Sequence, residues 1–210
     1  IGHLYPCIEV TTDMIVERPD LAPLVGQQLN VIAWLWARTV RSPSPAFSHV
    51  DVPLASTFVL SSKPGKEVYV EPIVESDGYR FEIRIGKPNS AAVAGTKQGR
   101  GGHFRCLFSN SPIPVTYIRE QGQAGILSQR LMAIVAEGRT GRVYLAPELM
   151  HETTALSASP AWCPDVAINH NPRDIRTQLY GLTKYGDLFT PRQLTALVTF
   201  SDLVGEAIER

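Results

Sequence analysis

The sequence contains few cysteines, no excess of either charge and no long apolar run. Its 210 residues include only Cys7, Cys106 and Cys163, which lie far apart and cannot all pair, so a disulfide-stapled secreted scaffold does not fit. The chain has 20 Lys+Arg and 20 Asp+Glu, and this balance argues against a generic polyanion binder but leaves room for a local basic strip. No apolar run approaches the ~20 residues that span a bilayer. We therefore expect a cytoplasmic protein that makes no contact with membranes.

Both ends of the sequence lack the signals that open or close a chain. It begins Ile1-Gly2-His3 without an initiator methionine, and it ends within a helical pattern, Glu206–Arg210, with no glycine or proline beyond it. We therefore expect residues 1–210 to be a single inserted domain or a fragment of a longer protein.

Apolar patterns in the first half predict strands joined by tight turns. The predicted strands cover residues 29–41, 54–61, 67–74, 79–85 and, more briefly, 103–108. The first of these is apolar at odd and even positions, which is typical of a central strand buried on both faces, although a buried helix would give the same pattern. Loops are predicted by the Pro/Ser-rich segment 42–49 and by the small residues of 91–102. Lys63–Lys66 and Ser76–Gly78 predict hairpin turns.

The second half adds another hairpin and most of the helices. Gly138–Gly141 separates two strand patterns, 131–137 and 142–145. Helices are predicted over 117–123, over 147–156 and from Thr190 to the end, with a long loop over 157–185. Thr190 and Gln193 form a capping box around Pro191, and an apolar stripe follows at Leu197, Phe200, Val204 and Ala207.

These elements predict an α+β fold. We expect a mostly antiparallel sheet of about five to seven strands, with hairpins and a capped C-terminal helix packed against it. Residues 28–110 form its β-rich region, and residues 111–210 contain the second hairpin, the long loop and the C-terminal helix.

The sequence contains no recognisable catalytic set. It lacks a G-x-S-x-G nucleophile elbow, and Cys163 has no base near it in sequence. The segment Asn171-Pro172-Arg173-Asp174 lacks the second proline and the aromatic residue of the Asn/Asp-Pro-Pro-Tyr/Phe motif of amino-methyltransferases. We interpret it as a turn and expect no catalytic residue in this chain.

One glycine-rich segment has two interpretations. Gly99-Arg100-Gly101-Gly102 lacks the G-x-G-x-x-G spacing of a dinucleotide site and does not lead from a strand into a helix. It is either a mobile loop or, because Lys97, Arg100 and Arg105 surround it, a loop that contacts phosphates.

The sequence contains one closely spaced pair of possible metal ligands. His103-x-x-Cys106 has the spacing of a zinc knuckle, and His49 lies in another turn, so these three residues are the candidate ligands. A closed structural zinc site needs four N or S ligands, commonly in two close pairs, and only one pair is present. The alternative is a surface histidine beside a buried free cysteine.

Eight segments carry distinctive motifs: Gly2–Pro6, Val31–Val40, Tyr117–Gly122, Ala133–Gly138, Gly141–Pro147, Tyr180–Leu182, Gly186–Leu194 and Phe200–Val204. In this order, and over essentially the whole chain, they resemble the family of adenine-specific DNA methylases described as containing a zinc ribbon. The resemblance implies a parent protein that transfers a methyl group from S-adenosylmethionine to adenine N6, after the base has been extruded from the duplex.

The chain also departs from the family pattern. The two cysteine knuckles of the family's ribbon fall near Ser42 and Phe47 and at Cys106 and Ser109, so three of the four thiols are absent. The resemblance thus implies a degenerate ribbon that is held by packing, without metal. The glycine-rich S-adenosylmethionine loop and the Asp-Pro-Pro-Tyr motif, which the family has upstream and downstream of this region, are also absent. The chain resembles the segment between the cofactor and catalytic halves, and no cofactor is expected in it.

The resemblance implies a non-catalytic region that recognises or clamps DNA, with DNA and the remainder of the methylase chain as its partners. The candidate DNA-binding residues are the cations near loops and turns: Lys97, Arg100, Arg105, Arg119, Arg130, Arg139 and Arg142. At zero net charge these residues are equally consistent with a solvated surface. Two alternatives stay open: a structural or protein-interaction module that braces the methylase halves, and an independent small enzyme, for which the sequence offers no catalytic constellation.

Overall fold

The computed structural model describes residues 2–139, 141–169, 171, 173 and 176–209. Within these ranges the strands are β1 (Ile8–Glu9), β2 (Gln28–Leu29), β3 (Val31–Arg41), β4 (Asp51–Leu54), β5 (Val59–Lys63), β6 (Lys66–Val74), β7 (Tyr79–Ile85), β8 (Phe104–Arg105), β9 (Pro112–Ile113), β10 (Ser128–Gly138) and β11 (Gly141–Leu145). The α-helices are α1 (Met14–Glu17), α2 (Ser90–Ala94), α3 (Val115–Gln123), α4 (Leu149–Leu156) and α5 (Pro191–Glu209). Short 3-10 helices lie at Gly2–Leu4, Pro19–Leu24, Pro45–Phe47, Thr177–Tyr180 and Tyr185–Leu188. The predicted α+β class is confirmed.

An antiparallel sheet in the order β11-β10-β3-β4 lies at the centre of the fold. β3 is the predicted central strand, and its alternative, a buried helix, is wrong. The neighbour of β3 is β10, with Ile134 opposite Trp34. Ile134 and the adjacent Ala133 are both fully buried but belong to different hydrophobic clusters, since consecutive strand residues point to opposite faces. Coverage of both faces explains why this segment is apolar at odd and even positions.

A second antiparallel sheet, β5-β6-β7, covers one face of the central sheet. Its core side chains, among them Val70, Phe81 and Ile83, share a cluster with Ala133 of β10. The predicted hairpin turns around residues 63–66 and 76–78 connect these three strands, as expected. The strands therefore form separate sheets, and the expectation of one continuous sheet is wrong, because the chain between β4 and β5 leaves the central sheet.

The structure corrects three local predictions. The strand predicted over 54–61 is interrupted, because Gly95 packs against the backbone of Ala55 and Thr57. Part of the loop predicted over 91–102 is helix α2, which begins where Asn89 Oδ1 accepts a hydrogen bond from the backbone N–H of Ala92 (2.7 Å). The strand predicted over 103–108 is limited to β8. The predicted turn at 171–174 lies partly outside the described residues.

Helix α5 has the predicted cap but an unexpected environment. Thr190 Oγ1 accepts from the N–H of Gln193 (3.3 Å), and Gln193 Oε1 accepts from the N–H of Thr190 (2.8 Å), so the capping box is confirmed. Arg192 contacts β3 by stacking over the ring of Trp34. The predicted apolar stripe is not packed on the sheet, however: Leu197, Phe200, Val204 and Ala207 are exposed.

Within the described residues, no helix is both long enough and apolar enough to cross a membrane.

Candidate functional site

The turns that contain Ser42 and Cys106 meet in space. Ser42 Oγ and Cys106 Sγ lie 3.2 Å apart and are buried. The rings of Phe47 and Phe108 pack together at a centroid distance of 5.2 Å. Burial raises the pKa of the Cys106 thiol, but hydrogen bonds from Ser109, Ser42 and the local backbone outweigh this effect and the pKa is lowered. Side-chain packing and one thiol–hydroxyl contact therefore hold these two turns together.

The structure does not bring His49, His103 and Cys106, the candidate zinc ligands, together as one set of ligands. The part of the chain that the structure describes contains no group of three or more His, Cys, Asp or Glu side chains that is placed to hold a metal ion. His49 and His103 are exposed, whereas Cys106 is buried.

We predict that the chain purifies without stoichiometric zinc and that EDTA leaves its melting temperature unchanged. Of the four positions at which the resemblance implies cysteines, only Cys106 carries a thiol, and one thiolate cannot build a tetrahedral site. Elemental analysis and thermal denaturation with and without chelator test this, and one zinc per chain would contradict it.

The structure separates the seven candidate DNA-binding residues into groups. Lys97, Arg100 and Arg105 lie on a hairpin that is attached to the Thr39 end of β3, because Thr96 Oγ1 donates to Pro53 O (2.8 Å) and Pro53 pairs with Thr39. We call residues 96–105 the basic hairpin. Gln98 N donates to His103 O (2.8 Å), which closes the loop over the glycines.

Arg139 and Arg142 lie at the tip of the β10–β11 hairpin, where β10 pairs with the Val31 end of β3. Val31 and Thr39 are eight residues apart, or about 26 Å at ~3.3 Å per residue. The basic hairpin and this tip are therefore at opposite ends of the central sheet, and the seven residues do not form one patch.

Two of the six candidate arginines stack on tyrosine rings. Arg130 lies 4.4 Å from the ring centroid of Tyr79, and Arg119 lies 5.6 Å from that of Tyr180. Burial raises the pKa of Tyr79 to about 12, although Arg130 opposes that shift. Arg130 therefore has a structural role in the core, while Arg119 lies beside the cleft described next.

A cleft of about 560 Å³ opens between α3, the basic hairpin and the segment 177–187. We call it the glycine cleft, because glycines lie on three of its sides. Its lining is Arg38, Leu54, Gly102, Phe104, Ile118, Gly122, Gly125, Leu127, Thr177, Tyr180, Gly181, Leu182 and Asp187. Four of the segments that carry the family resemblance contribute to it: 31–40, 117–122, 180–182 and 186–194.

Two glycines allow the walls of the cleft to meet. A Cβ at Gly122 would lie 2.7 Å from the carbonyl carbon of Tyr180, and one at Gly181 would lie 2.7 Å from the carbonyl carbon of Gly122. Gly181 also has φ +80°, which side chains rarely adopt. Glycine at both positions lets α3 pack directly on the 3-10 helix Thr177–Tyr180.

The polar groups of the cleft come from opposite ends of the sequence. Arg38 lies opposite Leu54 in the β3–β4 register, is exposed, and forms no salt bridge within the described ranges. Asp187 Oδ2 accepts from the backbone N–H groups of Thr183 and Lys184 (2.8 Å each). The cleft thus presents a guanidinium, a carboxylate and a largely apolar wall.

A second, partly buried cluster joins the first residues of the chain to its last helix. Arg192 stacks between Tyr5 (4.6 Å) and Trp34 (4.1 Å). Trp34 Nε1 donates to Nδ1 of His151 (3.1 Å), which is fully buried, and His151 Nε2 lies 4.0 Å from Glu148 Oε2. Burial lowers the pKa of His151 and raises that of Glu148. This cluster fixes the N-terminal segment, α4 and α5 on β3.

Sequence reasoning identified the basic hairpin but missed Arg38, Tyr180 and Asp187. No motif or spacing in the sequence indicates that these three residues line one cleft. No family model, curated protein or solved structure matches this chain.

Proposed function

We propose that the chain is a non-catalytic, DNA-contacting region of an S-adenosylmethionine-dependent adenine-N6 DNA methyltransferase, and that the basic hairpin holds the DNA backbone. The observation that carries this proposal is that the cations of the basic hairpin are not paired with carboxylates. None of Lys97, Arg100 and Arg105 forms a salt bridge within the described ranges, and Lys97 and Arg100 are exposed.

Several acidic side chains are paired with cations outside the basic hairpin. Arg18, Arg41, Arg80 and Arg84 pair with carboxylates on their own or neighbouring segments. A chain of zero net charge can therefore still present unpaired cations at one place, which answers the objection that its overall charge is too low for DNA. Arg139 and Arg142 are a second, separate candidate contact.

The cofactor of the proposed reaction belongs to the rest of the parent protein. The residues of the glycine-rich loop do not fit it, because 99–102 close a hairpin rather than leading from a strand into a helix. The proposed partners are DNA and the remainder of the methylase chain, and the proposed location is the cytoplasm.

We predict that Arg100→Ala combined with Arg105→Ala weakens binding to duplex DNA about tenfold at low salt and reduces the slope of log K against log salt by about two units, one for each lost phosphate contact. The loss should be similar for unrelated duplex sequences, because phosphate contacts carry no sequence information. Fluorescence anisotropy at several salt concentrations measures both quantities.

The matched control removes two exposed lysines from another hairpin turn, Lys63→Ala with Lys66→Ala, and should leave affinity and slope close to wild type. Wild-type affinity in the double arginine variant would contradict the proposal and favour the bracing module instead. The observation that favours this alternative is the exposed apolar stripe of α5, since such a face is typical of a protein-contact surface. Bracing predicts no salt-dependent DNA affinity at all.

A further inference from the structure

The glycine cleft has the size and lining of a small-molecule site. Its volume of about 560 Å³ lies within the usual range of ligand pockets, about 300–1,000 Å³. Apolar side chains supply most of the walls, including the ring of Phe104, and only a few polar groups interrupt them. We propose that this cleft binds an unpaired nucleotide whose base carries an exocyclic amino group. The inference rests on the proposed DNA contact and specifies what the same face recognises.

Arg38 supplies the anion contact of the proposed site. Its guanidinium lines the cleft and forms no salt bridge within the described ranges, whereas Arg41, three residues further along β3, pairs with Asp51 (3.2 Å). A planar guanidinium with five N–H donors matches a phosphate better than any other side chain. The phosphate of a nucleotide would therefore lie at the Arg38 side of the cleft.

Asp187 supplies the contact that selects the base. Both backbone hydrogen bonds to its carboxylate reach Oδ2, and Oδ1 receives none from the described residues. A carboxylate oxygen can only accept, so it favours N–H donors and opposes carbonyl oxygens. Adenine and cytosine present an amino group where thymine presents a carbonyl oxygen.

Two further observations indicate a polar, planar ligand. Thr177 Oγ1 is buried at the cleft and has no hydrogen-bond partner among the described residues. The rings of Tyr180 and Phe104 line the cleft and offer surfaces on which a base can stack.

The neighbouring hairpin favours a nucleotide over other ligands. A free amino acid with an apolar side chain would also satisfy one guanidinium and one carboxylate. However, Gly102 and Phe104 of the basic hairpin form part of the cleft wall, and Arg100 is two residues from Gly102, whereas Arg105 lines a different cavity. A cation next to the cleft wall is suited to a flanking phosphate of a strand, which an amino acid lacks.

The test uses the 210-residue chain and four probes: dAMP, dTMP, deoxyribose 5-phosphate and phenylalanine. Amide chemical shifts followed by NMR during each titration give the affinity and the location of binding. We expect dAMP to bind in the cleft about tenfold more tightly than dTMP, and deoxyribose 5-phosphate and phenylalanine to bind more weakly still. Equal affinity for dAMP and dTMP, or tighter binding of phenylalanine, would overturn the proposal.

Variants of Arg38 and Asp187 test the two proposed contacts independently. Arg38→Gln should weaken dAMP binding about tenfold, whereas the control Arg41→Gln, on the same strand but outside the cleft, should not change it. Asp187→Asn keeps an oxygen for the backbone N–H groups and adds an amide donor, so it should reverse the preference towards dTMP. An unchanged preference overturns the role of Asp187. If no nucleotide binds the cleft while duplex binding still depends on Arg100 and Arg105, the cleft inference fails and the proposed function stands.

Discussion

Gly122→Ala is expected to lower the free energy of unfolding by about 3 kcal/mol and to deform the glycine cleft. The added methyl group would lie 2.7 Å from the carbonyl carbon of Tyr180, and backbone atoms cannot rotate away as a side chain can. The helix cannot shift aside freely, because Gly181 makes the reciprocal contact with the Gly122 carbonyl. Alanine is the better helix former by about 1 kcal/mol, so the steric cost must exceed that gain.

The control is the other helical glycine with a regular backbone. A Cβ at Gly205, in α5, meets nothing within 4 Å, so Gly205→Ala should stabilise the chain by up to about 1 kcal/mol. Urea unfolding of both variants followed by circular dichroism measures the difference. If Gly122→Ala is as stable as wild type, α3 does not pack on 177–181 as described, and the cleft loses the wall on which the nucleotide inference depends.

Elements defined by local patterns could be predicted from the sequence. The alternation in 79–85, the Asp-Gly turn before it and the capping box at Thr190 each act within a few residues, and all three are present in the structure. The break between β4 and β5 could not be predicted in this way. It depends on Gly95 packing against Ala55, a contact between residues 40 positions apart.

The candidate site was predictable by residue type but not by position. Unpaired cations in a glycine-rich loop could be recognised directly, since loops are exposed. Arg38 lies in an apolar strand, and nothing in the sequence indicates that its side chain reaches a cleft formed by α3 and the segment 177–187. Such a site depends on topology, which local periodicity does not specify.

The apolar stripe of α5 is a second feature that local periodicity predicts only in part. Leu197, Phe200 and Val204 recur at helical spacing, and this pattern predicts an apolar face. It does not determine what covers that face. Among the residues of α5 whose burial is described, only Leu194, near the start of the helix, is buried, and the stripe from Leu197 to Val204 is exposed.

Acidification below pH 6.5 is expected to destabilise the fold through His151. Burial lowers the pKa of His151 in the folded chain, while the unfolded chain takes up this proton near pH 6.5. Its contribution to stability is therefore present above pH 6.5 and is lost as the pH falls towards the lowered folded pKa, by up to about 1.4 kcal/mol per pH unit. The hydrogen bond from Trp34 also favours the neutral form of His151, because Nδ1 can accept it only while unprotonated. Glu148, whose pKa burial raises from 4.5, acts oppositely: its contribution is lost as the pH rises through that raised value.

His151→Gln should flatten this dependence between pH 7.5 and 5.5, because glutamine does not titrate and still offers Trp34 an acceptor oxygen. The comparison concerns the slope of the unfolding free energy against pH, so a general loss of stability in the variant does not affect it. His103→Gln, which removes an exposed histidine from the basic hairpin, is the control and should keep the wild-type slope. Urea midpoints at several pH values give both slopes. A wild-type slope in His151→Gln would mean that the proton is taken up elsewhere, and that the contact joining α4 to Trp34 tolerates a charged imidazole.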